Sequence, residues 1–251
     1  MLPLLLILSC APAANVELSP EAWRQKLTAA RPGEHDAWLE RLKLKPVTSP
    51  TWSTPTLERV EVRTAKLSSG KKPELLVVAT FKATLKEARE LISDEVRLYR
   101  VQVLQPSGAT WCAISDALSA DVIVEKPTGP ADGMKDTELP RTFSLVNFSH
   151  PGQQTIEVHR PFETENRFTA KGDEIEWWDL LEGKLVQILK TPVKTISCPN
   201  CDVPHFRSWY ERRGTPPVSI VAFQVSCEDS TEKVCPTREE HLLVPTWQEL
   251  K

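Results

Sequence analysis

The chain has 251 residues, with 31 Lys+Arg against 34 Asp+Glu, 40% hydrophobic residues, 21 Pro against 9 Gly, 8 Trp and 6 Cys. That length and apolar content suit a folded chain that buries roughly 70% of the surface its unfolded form exposes, which excludes a disordered tail. A net charge of −3 gives no electrostatic reason to expect a nucleic-acid partner, and six Cys are too sparse for a small disulfide scaffold.

Met1 to Leu8 is apolar throughout and is followed by Ser9-Cys10 and the small run Ala11-Pro12-Ala13-Ala14. The apolar run is too short to span a bilayer, which takes about 20 residues, and has the form of an export signal over residues 1–9. The Ser9-Cys10 ending resembles the lipobox of bacterial lipoproteins. The resemblance implies that Cys10 becomes the lipidated first residue of a chain held at the cell envelope by that lipid. No Lys or Arg follows Met1, and Leu8 is larger than the residue usual two before the Cys. Cleavage after Ala13 by a general signal peptidase, giving a periplasmic or secreted chain, is therefore the alternative.

Residues 10–50 read as a tether and short helices. Ser19-Pro20-Glu21 supplies an N-cap, a Pro at the first helical position and an acid in the first turn. Ala22, Trp23, Leu27 and Ala30 then form one apolar stripe, ended by Arg31-Pro32-Gly33. A second helix from Glu34 carries Trp38, Leu39 and Leu42 and closes at Pro46.

From Trp52 the period switches to two. Val60, Val62 and Thr64 alternate with Glu61 and Arg63, a strand with one wet face, and Leu75 to Phe81 is an apolar run broken only by Thr80 that reads as a strand buried on both faces. The turn Ser68 to Pro73 joins them. Gly70 to Val77 resembles the turn-to-strand piece of integrin-like propeller repeats, but the acidic calcium ligands of that loop are missing, so it reads as an ordinary hairpin. Lys82–Leu91 reads as helix or long loop. Further strands are expected at 96–104, 111–114, 122–124, 142–148, 155–160, 174–181, 184–190, 218–227 and 241–244, with Glu182-Gly183 as a hairpin turn. Pro and Gly punctuate 126–140, the best place to divide the β domain of residues 51–251 into two halves. The fold class that results is mainly β, an antiparallel sandwich or partial barrel with a short helical N-terminal segment.

Cys198-Pro199-Asn200-Cys201 is the sharpest local pattern. A zinc site would need a second close pair, and Cys227 and Cys235 are too far apart for one, so no metal and no other cofactor is expected. In the oxidising compartment that an export signal implies, disulfides become the default. Of the three pairings open to four Cys, Cys198–Cys201 with Cys227–Cys235 is favoured, the second closing a short polar loop for about 2.5 kcal/mol. Cys112 is left over and reads as a buried free thiol. Trp177 and Trp178 are consecutive in a strand and so face opposite ways, making one of them a candidate ligand contact.

The sequence contains no G-x-S-x-G, H-E-x-x-H or phosphate-loop motif, and the five His are scattered. No catalytic residue is assigned. The expected function is that of a lipid-anchored envelope protein acting by binding or assembly, with an envelope protein or glycan as partner. The alternative is a secreted hydrolase whose site is built from non-contiguous residues.

Overall fold

The computed structural model describes residues 10–11, 25, 39–40, 42–86, 95–107, 110–113, 118–124, 141–165, 169–197, 206–226 and 237–242. Within them the chain is mainly β and antiparallel. Gln25, Leu39 and Glu40 are helical. The second helix does not run to Pro46 as expected, because Leu42 and Lys43 form a turn with Lys43 at φ 54° and 44–46 are irregular; the remainder of the two expected N-terminal helices lies outside the described residues. The chain divides into two compact units. The first comprises Met1–Glu87, Glu95–Asp121 and Leu180–Leu185, the second Ala88–Asp94, Val122–Asp179 and Val186–Lys251.

The first sheet is made of β1 (Cys10–Ala11), β2 (Thr56–Ala65), β3 (Glu74–Thr84), β4 (Glu95–Ser107), β5 (Thr110–Ala113) and β6 (Leu118–Val124). Its order is β1-β5-β4-β3-β2, with β6 also paired to β4. Leu75 through Ala79 are all buried, as an uninterrupted apolar run requires of a central strand covered on both faces. On one face Val62 and Val60 of β2 stand opposite Val77 and Ala79, while Leu98 and Leu104 of β4 stand opposite Phe81 and Leu75. Leu39, Leu42 and Leu44 cover this face, each worth roughly 1.5–3 kcal/mol of apolar burial.

Lys82–Thr84, expected to begin a helix or loop, instead extend β3. Phe81 and Ala83 continue inward while Lys82 and Thr84 alternate outward, and Lys82 pairs with Glu95 of β4 at 2.5 Å. The β2–β3 connection is locked from inside. Glu74 is fully buried and accepts the Leu67 amide at 3.0 Å and the Ser68 hydroxyl.

The second sheet runs β13-β12-β11-β10-β9-β8-β7, from β7 (Thr142–Val146), β8 (Thr155–Glu165), β9 (Thr169–Leu181), β10 (Lys184–Ser197), β11 (Phe206–Arg213), β12 (Ser219–Ser226) and β13 (Thr237–Leu242). Glu182 and Gly183 join β9 to β10 with φ values of 48° and 77°, the left-handed pair that a tight hairpin needs.

This sheet curls. β9 and β10 separate β8 from β11, so in a flat sheet those two strands would lie about 14 Å apart. Yet Arg212 of β11 reaches the Glu157 carboxylate of β8. At the other end of the curl, the Val218 amide ahead of β12 donates to the Phe148 carbonyl after β7 at 3.0 Å. The rolled interior holds Phe148, Ile175, Trp177, Ile188, Val218 and Ile220.

Candidate functional site

The curled sheet concentrates titratable groups around Glu157. Glu157 and His159 lie two apart on β8 and so share a face, and their register partners on β9 are Trp177 and Ile175. The Glu157 carboxylate is almost wholly buried and receives four kinds of donor, the Ser144 hydroxyl of β7 at 3.3 Å among them. Trp177 Nε1 donates at 2.7 Å, His159 Nε2 lies at 2.9 Å, and the Arg212 guanidinium closes the third side. Burial alone would raise the Glu157 carboxyl. The hydrogen bonds from His159 and Trp177 and the charge of Arg212 outweigh it and hold the group below its ordinary range.

His159 is held from both ends. Its Nδ1 lies 2.5 Å from Asp173 Oδ2, so each ring nitrogen has its own carboxylate. The hydrogen bond to Glu157 is the largest cause, and with Asp173 it raises the imidazole to about 9 against the opposing effect of burial. At neutral pH the ring is therefore a cation donating both N–H groups. A general base needs a nitrogen lone pair near the working pH, and this ring has none to offer. Both ring nitrogens already face carboxylates, and no group of three His, Cys, Asp or Glu among the described residues is arranged to hold a metal ion.

The aromatic surroundings stiffen the cluster. Phe148 stacks on Trp177 at 4.9 Å with the rings 6° from parallel, and Tyr210 meets Trp177 edge-on at 5.4 Å. Arg212 lies 5.9 Å from the ring centres of both Trp177 and Tyr210. A second buried chain runs from Ser149 through Thr155 to Asp179, with Thr155 Oγ1 donating to Asp179 at 2.7 Å. Burial pushes the Asp179 carboxyl up, and the Ser149 and Thr155 hydroxyls offset only part of that.

A different surface belongs to β11 and β12. Trp209 and Phe223 are register partners and stack at 5.1 Å, 9° from parallel. Arg207 lies 5.0 Å from the centre of Trp209 and Arg213 lies 5.7 Å from that of Phe223, so two exposed guanidiniums flank an aromatic pair. A shallow pocket of about 160 Å³ adjoins these strands and is bordered by Lys190, Ser208, Gln224, Arg238 and Glu240. That is smaller than the roughly 300 Å³ at which small-molecule sites begin, and none of Glu157, His159 or Asp173 lines it.

Of the residues singled out from sequence, Trp177 is completely enclosed and serves the Glu157 cluster, so the ligand-contact reading narrows to its neighbour. Trp178 is half-buried on the opposite face, its Nε1 donating to Glu176 at 3.0 Å. Cys198, Cys201, Cys227 and Cys235 lie outside the described residues. Cys10 forms β1 and stands opposite Cys112 in the register of β5. Cys112 is not the free thiol expected: it is buried and disulfide-bonded. β11 was not foreseen as a strand, because Arg207, Glu211, Arg212 and Arg213 interrupt any apolar alternation. Its only sequence signal was the Trp209-Tyr210 pair. No family model matches this chain, and no curated protein or solved structure matches it either.

Proposed function

We propose that this is an exported protein of the cell envelope that acts by binding or assembly rather than by catalysis. The observation that carries the reading is the state of His159. The best His–carboxylate arrangement among the described residues is closed on itself as an ion-pair network, with both ring nitrogens engaged, and the pocket beside Trp209 and Phe223 is lined by none of its members. This counts against the rival hydrolase. The Arg207–Trp209–Phe223–Arg213 ledge, by contrast, presents two exposed guanidiniums beside a half-buried Trp209 that stacks on the buried Phe223, a cationic and aromatic combination suited to a protein or glycan surface. Trp178 remains a second candidate contact.

The oxidised Cys112 supports export, since disulfides persist in oxidising compartments. A lipid on Cys10 would hold the chain at the membrane; without it the chain is periplasmic or secreted, and the binding role is the same in either case. The test is co-sedimentation of the purified chain with isolated envelope material. Arg207→Glu with Arg213→Glu should lower retention at least tenfold with the fold intact by circular dichroism. Hydrolysis of a panel of ester, glycoside and peptide substrates that disappears in His159→Gln would overturn the reading.

A further inference from the structure

Cys112 is buried, disulfide-bonded and placed on β5. β1 pairs antiparallel with β5 in a register that sets Cys10 against Cys112 and Ala11 against Trp111. Directly opposed residues of an antiparallel pair have Cα atoms about 4.5 or 5.5 Å apart, depending on whether the pair is hydrogen-bonded. Both spacings fall inside the window of about 4.4–6.8 Å that a disulfide spans. We infer that the partner of Cys112 is Cys10, and that the chain works with its N-terminal strand cross-linked to the sheet instead of lipidated.

The two fates of Cys10 exclude each other. Lipidation converts its sulfur to a thioether, and a thioether cannot join a disulfide. Cleavage after Ala13 would remove Cys10 from the chain altogether. The bridge therefore requires a mature chain that retains residue 10 with a free sulfur. Its formation balances as an exchange: the Cys10 and Cys112 thiols give up two protons and two electrons to the disulfide of an exported thiol oxidase, which leaves as a dithiol. The inference rests on the export part of the proposed function, because that oxidant belongs to an oxidising compartment.

The experiment uses the full chain isolated from envelope and soluble fractions, with free thiols blocked at lysis and the digest analysed without reduction. The expected result is one cross-linked pair, the peptide bearing Cys10 joined to the peptide bearing Cys112, separating on reduction. In Cys112→Ser the Cys10 thiol should become open to maleimide, at least tenfold above wild type. An acylated Cys10, a chain that starts after Ala13, or Cys112 joined to another Cys overturns the bridge and leaves export standing. Both thiols free in a cytosolic chain overturn the bridge and export together.

Discussion

His159 Nε2 lies 2.9 Å from Glu157 Oε1, two residues away on the same strand face, and this contact sets how stability depends on pH. The imidazole goes from an ordinary 6.5 to about 9 on folding, so the cation contributes stability that is complete below pH 6.5 and is lost as pH rises towards 9. The size is up to about 3 kcal/mol. Glu157 acts in the opposite sense: its lowered carboxyl contributes stability above its ordinary 4.5, lost on acidification. Urea unfolding followed from pH 4 to 9.5 should show greatest stability between about 4.5 and 6.5. His159→Gln should flatten the alkaline slope, and an unchanged slope would show that the ring is not the group responsible.

Trp177→Phe should keep the stack on Phe148 while removing the indole donor from Glu157. A hydrogen bond to a buried carboxylate is worth about 2 kcal/mol, so the urea midpoint should fall accordingly. Trp178→Phe likewise removes an indole donor from a buried carboxylate, Glu176, and should cost a similar amount, roughly 1.5–3 kcal/mol. A cost under about 0.5 kcal/mol for either variant would show that its indole does not hold the carboxylate.

Glu74→Ala leaves the Leu67 amide and the Ser68 hydroxyl without their acceptor in the β2–β3 turn. A loss of about 1–3 kcal/mol is expected. Hydrogen exchange should show the Leu67 amide losing protection first, and an unchanged exchange rate there would mean that the turn is held by something else.

Gly183→Ala puts a Cβ at φ 77°, where an L-residue is strained by about 1–2 kcal/mol. Glu182→Asn should move the other way by up to about 1 kcal/mol, because Asn tolerates the left-handed conformation at φ 48° and suits the first position of this turn. Thermal melts of the two variants should shift in opposite directions. A shift of the same sign in both would discount turn conformation as the cause.

What could be read from the sequence was what sequence neighbours decide. The central strand β3 was legible because five consecutive apolar residues leave no wet face, and the β9–β10 turn because Glu182-Gly183 can adopt two left-handed conformations in succession. β11 was not legible. Its outward residues are Arg207, Glu211 and Arg213, and its inward side uses Tyr210 and Arg212, so neither face looks apolar until the curl brings Trp177 against it. The Glu157 cluster was hidden for the same reason: its members come from β8, β9 and β11, and no local spacing marks them. Cys112 was misread because its strand partner lies about a hundred residues earlier.

The Arg212–Glu157 contact joins residues 55 positions apart. A ribosome adds roughly 5–20 residues per second, so on that clock the carboxylate waits some 3–11 s for its guanidinium. During that interval Glu157, Trp177 and Phe148 have no β11 to roll against. Chain growth thus imposes an order of assembly: whatever part of β7 to β10 has formed lacks its closing strand, with Trp177 uncovered on that side, until Tyr210 and Arg212 arrive and shut it.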